Sequence, residues 1–369
     1  MSARRRLVIK IGSSSVTAAD GTPDQALLVR LAGEINAALS EGWDVVVVSS
    51  GAVLAGWSVL GQGQERPSDL GTLQAVSAVG QHRLMAIWAD AFARYGRTVG
   101  QVLLARLGEA DREQYEHAQQ TFAHLFSFGV VPIVNENDAV ADDEIRFGDN
   151  DRLAALVAHL IGADRFVMLT DTPGLLTGDP RVDDDASLIE EVTEIDRSLE
   201  LLAGGPGDGA TGGMASKLTA ARIATWSGIE TFIADARQSD VLRLLDDPAN
   251  GVGTRFRARA SRLSAHKLWI AFALGATGQV TIDDGAKTAL VTQGASLLAV
   301  GVQAISAGVS EGGAVEVLAL DGQIVAKGIM RLSSEDFLQW KKESADPFDG
   351  VVIHRDDLVV FARADQSDS

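Results

Sequence analysis

The sequence predicts an α/β protein: a three-layer αβα domain around a largely parallel sheet, followed by a small mixed-β domain. Apolar runs rich in Val and Ile recur in "LVIKIG", "DVVVVSSGA", "VVPIVNEND", "RFVMLTDTPG" and "IETFIADA". Amphipathic stretches such as 24–39 and 73–95 separate them, and short buried strands alternating with helices make a parallel sheet covered on both faces. After about Gly253 the alternation stops. From Ala276 short alternating strands with Gly-rich turns follow, in "GQVTIDDGA", "AVEVLALDGQIVAKGIM" and "VVIHRDDLVVFA". The expected organisation is a first domain over 1–254, a basic connection over 255–275, a second domain over 276–355 and a tail over 356–369.

At 369 residues the chain is long for one domain, and its 46% apolar content can fill two cores. A net charge of −18 argues against nucleic acid or an anionic membrane as the main partner. With no cysteine there is no disulfide framework, thiolate metal site or thiol nucleophile. The start, "MSARRRLVIKIG", is basic, but Lys10 interrupts its short apolar run, so it reads as a strand and not a signal peptide. No apolar run approaches the roughly 20 residues of a membrane helix, and the expected location is the cytoplasm.

Ligands of such sheets bind outside the carboxyl ends of the strands, and here those ends carry small or polar residues. Lys10 lies inside the first strand, where an ammonium is costly unless paired or put to use; the bland alternative is an edge-strand lysine reaching to solvent. After the second strand, Ser49–Ala52 offers hydroxyls and the Gly51 backbone to an anion, or is a plain turn. Next comes an acidic hairpin, with Asp138, Asp142, Asp143 and Glu144. In "FGDND", Asn150 reads as a helix N-cap and Asp151 as a first-turn acid, which leaves Asp149 unassigned. Leu153, Leu156, Val157, Leu160 and Ile161 form one face of the helix that follows. A metal cage finds little support, because EF-hand spacing is missing and the six histidines are scattered. Magnesium carried mostly by nucleotide phosphates needs few protein ligands.

The loop Thr170–Arg181 again follows a buried strand and could hold a base and ribose, or is turn chemistry alone. "GGPGDGATGGMASK" feeds a helix and places Lys217 in its first turn. Free N–H groups and the positive dipole end at such a junction suit a phosphate, although the Walker pattern does not occur. A surface loop with a helix cap is the alternative. Two lysines at a strand end and a helix start suggest a clamp on a polyphosphate.

"VIKIGSSSV", "VVSSGAVLAG", "PIVNENDAV", "FGDND", "LTDTPGLLTGDPR" and "TGGMASK", in this order and spacing, resemble the amino-acid kinase superfamily. Within it they resemble the branch that phosphorylates the γ-carboxylate of L-glutamate with ATP, opening proline biosynthesis. The C-terminal part, with "VTIDDGAKTAL" and "GVSEGGAVEVLALDGQIVAKG", is similar to the PUA module, a small pseudobarrel. The resemblance implies that Lys10 and Lys217 stabilise the transferring phosphoryl group and that Asp151 orients both lysines. It implies Ser50, Gly51, Asp138 and Asn150 for glutamate; Asp138 suits the α-ammonium, and Asn150 and Ser50 can donate to carboxylates. Lys10, Thr170, Asp171, Thr211, Gly212, Gly213, Met214, Ala215, Ser216 and Lys217 would hold ATP, with Mg2+ as cofactor. Proline as feedback inhibitor and a homo-oligomer are further implications. Leu176, Gly178, Ala215 and Ser216 depart from the commoner residues of the pattern and touch nucleotide packing more than chemistry.

Two rival readings remain at this level. One is a superfamily member acting on acetylglutamate, aspartate, carbamate or a nucleoside monophosphate, against which "NENDAV", "FGDND" and the C-terminal module argue. The other is RNA binding through that module. From Ala276 onward seven Lys/Arg face fourteen Asp/Glu, a poor electrostatic footprint for RNA. The basic segment Arg255–Lys267 is the only candidate surface, and its plainer use is ion pairing with this acidic protein or with a subunit.

Overall fold

The near-continuous Val/Ile runs form strands because both faces of a parallel sheet are covered by helices. In the computed structural model, which describes residues 4–61, 67–104, 112–140, 150–179, 183, 185–203, 213–260, 262–343 and 350–361, the chain divides into two units, 1–262 and 263–369. The first unit holds β1 (Arg6–Ile11), β2 (Asp44–Ser49), β3 (Val99–Leu104), β4 (Val131–Glu136), β5 (Arg165–Thr170), β6 (Glu191–Val192), β7 (Glu230–Asp235) and β8 (Thr254–Phe256). They make one sheet in the order β3-β4-β2-β1-β5-β7-β8-β6, parallel throughout except for β7 with β8. From β1 the chain lays down β2 beside it, moves to the edge for β3, returns to place β4 between β2 and β3, and then crosses to β5 on the other side of β1. Such a switch of direction opens a crevice at the carboxyl ends of the central strands.

The helices of this unit are α1 (Gln25–Ser40), α2 (Ala52–Leu60), α3 (Leu70–Ala93), α4 (Arg112–Ser127), α5 (Asn150–Leu160), α6 (Arg197–Leu202) and α7 (Met214–Trp226), with a short turn at Val241–Leu244. Asp24 caps α1 by accepting from the Leu27 N–H at 3.0 Å. The apolar faces of α1 and α3 meet the sheet in one core that includes Leu28, Leu31, Trp88, Phe92, Ile9 and Val47. α2 and α3 pack backbone to backbone. A Cβ on Gly80 would lie 1.7 Å from the Ala52 carbonyl oxygen, and one on Gly56 would lie 2.0 Å from that of Val76. Glycine is demanded at both positions by space, and the contact brings α3 close to the loop that follows β2.

The second unit has a five-stranded mixed sheet in the order 302–305, 278–282, 314–318, 324–329, 358–360. Its one parallel pair is 278–282 with 314–318. Strands Leu297–Leu298 and Val351–Ile353 form a second, two-stranded sheet. Val280, Ile282, Val315, Val317, Val325, Phe337 and Ile353 belong to its separate core. The strand Leu358–Val360 falls within the segment expected as a tail, and Arg255 falls within β8. The first of these lies in "VVIHRDDLVVFA", read above as a strand, so only the boundary shifts. Arg255 is fixed by pairing with Glu191 and Phe232, a cause that local composition does not reveal.

The basic segment pairs with acids. Arg255 bonds Glu230, Arg257 lies 2.9 Å from Glu191 and Arg259 lies 3.4 Å from Glu194, with its guanidinium 3.8 Å from the Trp226 ring centre. Among the described residues no helix is long and apolar enough to cross a membrane.

Candidate active site

The carboxyl ends of β1, β2 and β5 are stitched together. Ser50 N–H donates to the Ile11 carbonyl at 3.1 Å, and Gly12 N–H donates to that of Leu169 at 3.2 Å. Lys10 sits in the central strand with Val48 and Met168 as its register partners, and is only 4% exposed. It is therefore not an edge lysine reaching to solvent. Its ammonium meets Asp151 Oδ1 at 2.6 Å, and Asp151 Oδ2 lies 3.4 Å from Lys217 Nζ. One buried carboxylate thus bridges two lysines from β1 and α7, leaving one positive charge in excess.

Burial alone would raise the Asp151 carboxyl. Lys10 first, then Lys217, with hydrogen bonds from Lys10 and Ser216, outweigh it and hold the group below 3.8. Lys217 moves down from 10.5, because burial and the neighbouring Lys10 outweigh the attraction of Asp151 and Asp171. Gly213 precedes α7 with no side-chain cap, and Met214, Ala215 and Ser216 form the first turn before Lys217. The first N–H groups of this helix carry its positive end. Thr170 ends β5, buried, and donates from Oγ1 to Asp171 Oδ1 at 3.1 Å. Thr211 and Gly212 lie outside the described residues, as do Asp142, Asp143, Glu144 and Asp149.

A second set of polar groups lies beside the β2 and β4 ends. Gly51 immediately precedes α2 and has φ +112, a conformation that needs glycine. Asn150 is the first residue of α5 and does not cap it. Its Nδ2 donates to Ser50 Oγ and to Asn135 Oδ1, each at 2.8 Å. The expectation that Asn150 donates to a ligand carboxylate therefore meets an amide whose hydrogens are both taken. Asn135 Nδ2 donates to Gln81 Oε1 at 2.7 Å. Asp138 accepts from Ser77 Oγ at 2.5 Å; burial raises its carboxyl above 3.8, and the Ser77 bond pulls it only partly back.

Sequence reasoning missed Ser77, Gln81 and Asn135. Ser77 and Gln81 are buried on α3 together with Leu84 and Trp88. Two polar residues four apart inside an apolar stripe are the signal that could have found them. Among the described residues no three His, Asp or Glu side chains converge as a metal cage.

Comparison with known proteins agrees with this arrangement. The model of the amino acid kinase family matches residues 5–235, and that of the PUA domain matches 278–352. The chain is 46% identical over 359 residues to a glutamate 5-kinase of Nocardia farcinica, covering 96% of each chain. It is 47% identical over 370 residues to one of Rhodococcus jostii, covering 97% of this chain and all of the relative. A carbamate kinase from Giardia lamblia bound to AMP-PNP shares the fold of the first unit, with a TM-score of 0.50 at 16% identity, covering 70% of this chain and 99% of its own. A lysine-paired carboxylate at a switch point, a kinase-family match and near-full-length relatives together place the chain in the amino acid kinase family, among the glutamate 5-kinases.

Proposed function

We propose that the protein transfers the γ-phosphoryl group of ATP to the γ-carboxylate of L-glutamate, giving L-glutamyl 5-phosphate and ADP in the opening step of proline biosynthesis. The observation that carries this reading is the Asp151 carboxylate held between Lys10 and Lys217. A glutamate side chain titrates near 4.3, so the acceptor is already ionised at neutral pH and no general base is needed. One carboxylate oxygen attacks the γ-phosphorus in line, the bond to the bridging oxygen of ADP breaks, and no proton moves. The protein's task is to bring two anions together and to neutralise the charge on the phosphoryl oxygens.

Lys10 and Lys217 supply that charge, and Asp151 orients them. Magnesium would accompany ATP and supply further charge neutralisation at its phosphates; Asp151 is committed to the two lysines. Ser50, Gly51, Asp138 and Asn150 hold glutamate. Lys10, Thr170, Asp171 and the turn Gly213–Lys217, preceded by Thr211 and Gly212, hold ATP.

The test uses the full chain with ATP and magnesium, trapping the acyl phosphate with hydroxylamine. Glutamate is expected to give the hydroxamate, and acetylglutamate, aspartate, carbamate and a nucleoside monophosphate are expected to give no turnover, read as ADP release for the nucleoside monophosphate because its product is not an acyl phosphate. Turnover of one of these in its place overturns the reading. Proline shares the α-nitrogen and α-carboxylate of glutamate, so it acts as feedback inhibitor by occupying the same groups. Added proline is expected to raise the apparent KM for glutamate; inhibition that left this KM unchanged would refute shared binding. A homo-oligomer formed through the kinase domain completes the proposal, and sedimentation velocity checks it.

A further inference from the structure

The amides of Gln81, Asn135 and Asn150 form a directed chain inside the first unit. Asn135 donates to Gln81, and Asn150 donates to both Asn135 and Ser50. All four side chains belong to buried residues. The two ends of the chain are bare, because Gln81 Nε2 and Asn150 Oδ1 have no hydrogen-bond partner. Every amide has one donor face and one acceptor face, so the chain has a polarity. Turning one amide alone would bring like atoms together at 2.7 or 2.8 Å; reversal requires all three to turn.

The polarity decides what Asn150 offers. In the observed sense both its hydrogens are used and a carbonyl oxygen is left over; in the reverse sense an N–H would be left. Ser50 Oγ accepts from Asn150, so its own hydrogen remains for a ligand's acceptor. One chain of bonds therefore sets up an acceptor on Asn150 and a donor on Ser50, side by side. That pair complements an ammonium and a carboxylate carried on a single carbon. A bare buried acceptor is costly until a donor arrives, which makes the carbonyl a recognition group.

We propose that Gln81 is a positioning residue: through Asn135 it sets Asn150 to present its carbonyl oxygen, and this acceptor selects substrates that carry an ammonium group. The inference rests on the reading of the site as an amino-acid phosphorylating one. α3 suits the task, since Gln81 stands one turn after Ser77, the residue that bonds Asp138, on a helix locked to α2 by Gly80.

The experiment compares glutamate with glutarate, which keeps both carboxylates and lacks the ammonium, using the full chain and the hydroxamate assay. Gln81→Met removes the acceptor that orders Asn135 while keeping side-chain length. It is expected to raise the KM for glutamate about tenfold, the worth of one buried hydrogen bond. KM for glutarate, KM for ATP and kcat should stay, so the preference for glutamate falls by the same factor. Gln81→Glu keeps the acceptor and is expected to hold that preference. A purely structural role would lower thermal stability and disturb ATP binding without changing the preference.

A glutamate-to-glutarate preference unchanged in Gln81→Met overturns the proposal. So does a preference lost in Gln81→Glu, which decides the matter alone if the methionine variant does not fold. A wild-type protein active on another acceptor and inactive on glutamate fails earlier, in the functional reading itself, and takes this inference with it.

Discussion

Replacing Asp151 by asparagine keeps the side chain's size and removes the charge that two buried lysines share. At the observed separations of 2.6 and 3.4 Å, and an effective dielectric of about 20, the attractions are about 6 and about 5 kcal/mol. Most of this offsets the cost of burying three charged groups. Removing one partner from such a cluster costs about 3–5 kcal/mol net, because the remaining charges are left uncompensated. That loss is divided between stability and the geometry of the phosphoryl site. We expect kcat to fall by about 10²-fold or more and the urea midpoint to drop. KM for glutamate should change by less than about threefold, since the Asn135, Asn150 and Ser50 bonds are untouched.

The pH dependence has a definite sign. The folded Asp151 carboxyl lies below 3.8, so its stabilisation is present above 3.8 and is lost as pH falls through the lower folded value. Lys217 is already depressed below 10.5 by burial; without Asp151 it falls further, and the alkaline limb of the rate profile moves to lower pH. Steady-state kinetics by hydroxamate formation, with urea melts, reads all of these. Wild-type kcat within about threefold, with an unchanged midpoint, would refute the bridging role.

Two other variants probe different parts of the site. Asp138 is raised above 3.8, so the folded chain holds an extra proton between 3.8 and that raised value, and stability falls as pH rises through this window. Asp138→Asn should therefore stabilise the ligand-free protein at pH 8 by about 1 kcal/mol while raising KM for glutamate at least about tenfold; an unchanged KM would contradict its place in the substrate site. Gly80→Ala drives a methyl into the Ala52 carbonyl, and should cost about 3 kcal/mol in a urea melt and raise KM for glutamate by displacing Ser50 and Gly51. An unaltered midpoint would show that α2 and α3 can separate freely.

The parallel sheet was legible because its strands are short Val/Ile runs ending in small polar residues, and Lys10 stood out as a charge inside such a run. Lys217 was legible as a lysine one turn into a helix that follows a glycine-rich loop. The amide chain was not. Gln81 and Ser77 lie on α3, where a polar residue reads as a solvated face unless its neighbours in space are known. Asn135 was in view within "VVPIVNEND", but its role depends on Gln81, 54 residues earlier. Asn150 read locally as a cap, and by resemblance as a glutamate ligand; its bonds to Ser50 and Asn135 are long-range and were not legible. Leu358–Val360 was legible as a strand within "VVIHRDDLVVFA", although the expected domain boundary at 355 cut it off. Arg255 was missed as a sheet residue for a related reason, since edge pairing is decided by a partner strand.

Asn150 and Asp151 are consecutive residues of one helix, yet the first is tied to α3 through Asn135 and the second to β1 and α7 through their lysines. On the proposed roles, acceptor recognition and phosphoryl chemistry would meet at a single peptide bond while drawing their supports from different parts of the chain. On those roles, a change at Ser77 or Gln81 on α3 would reach the acceptor through Asp138 and Asn135 and leave the lysine–carboxylate bridge in place.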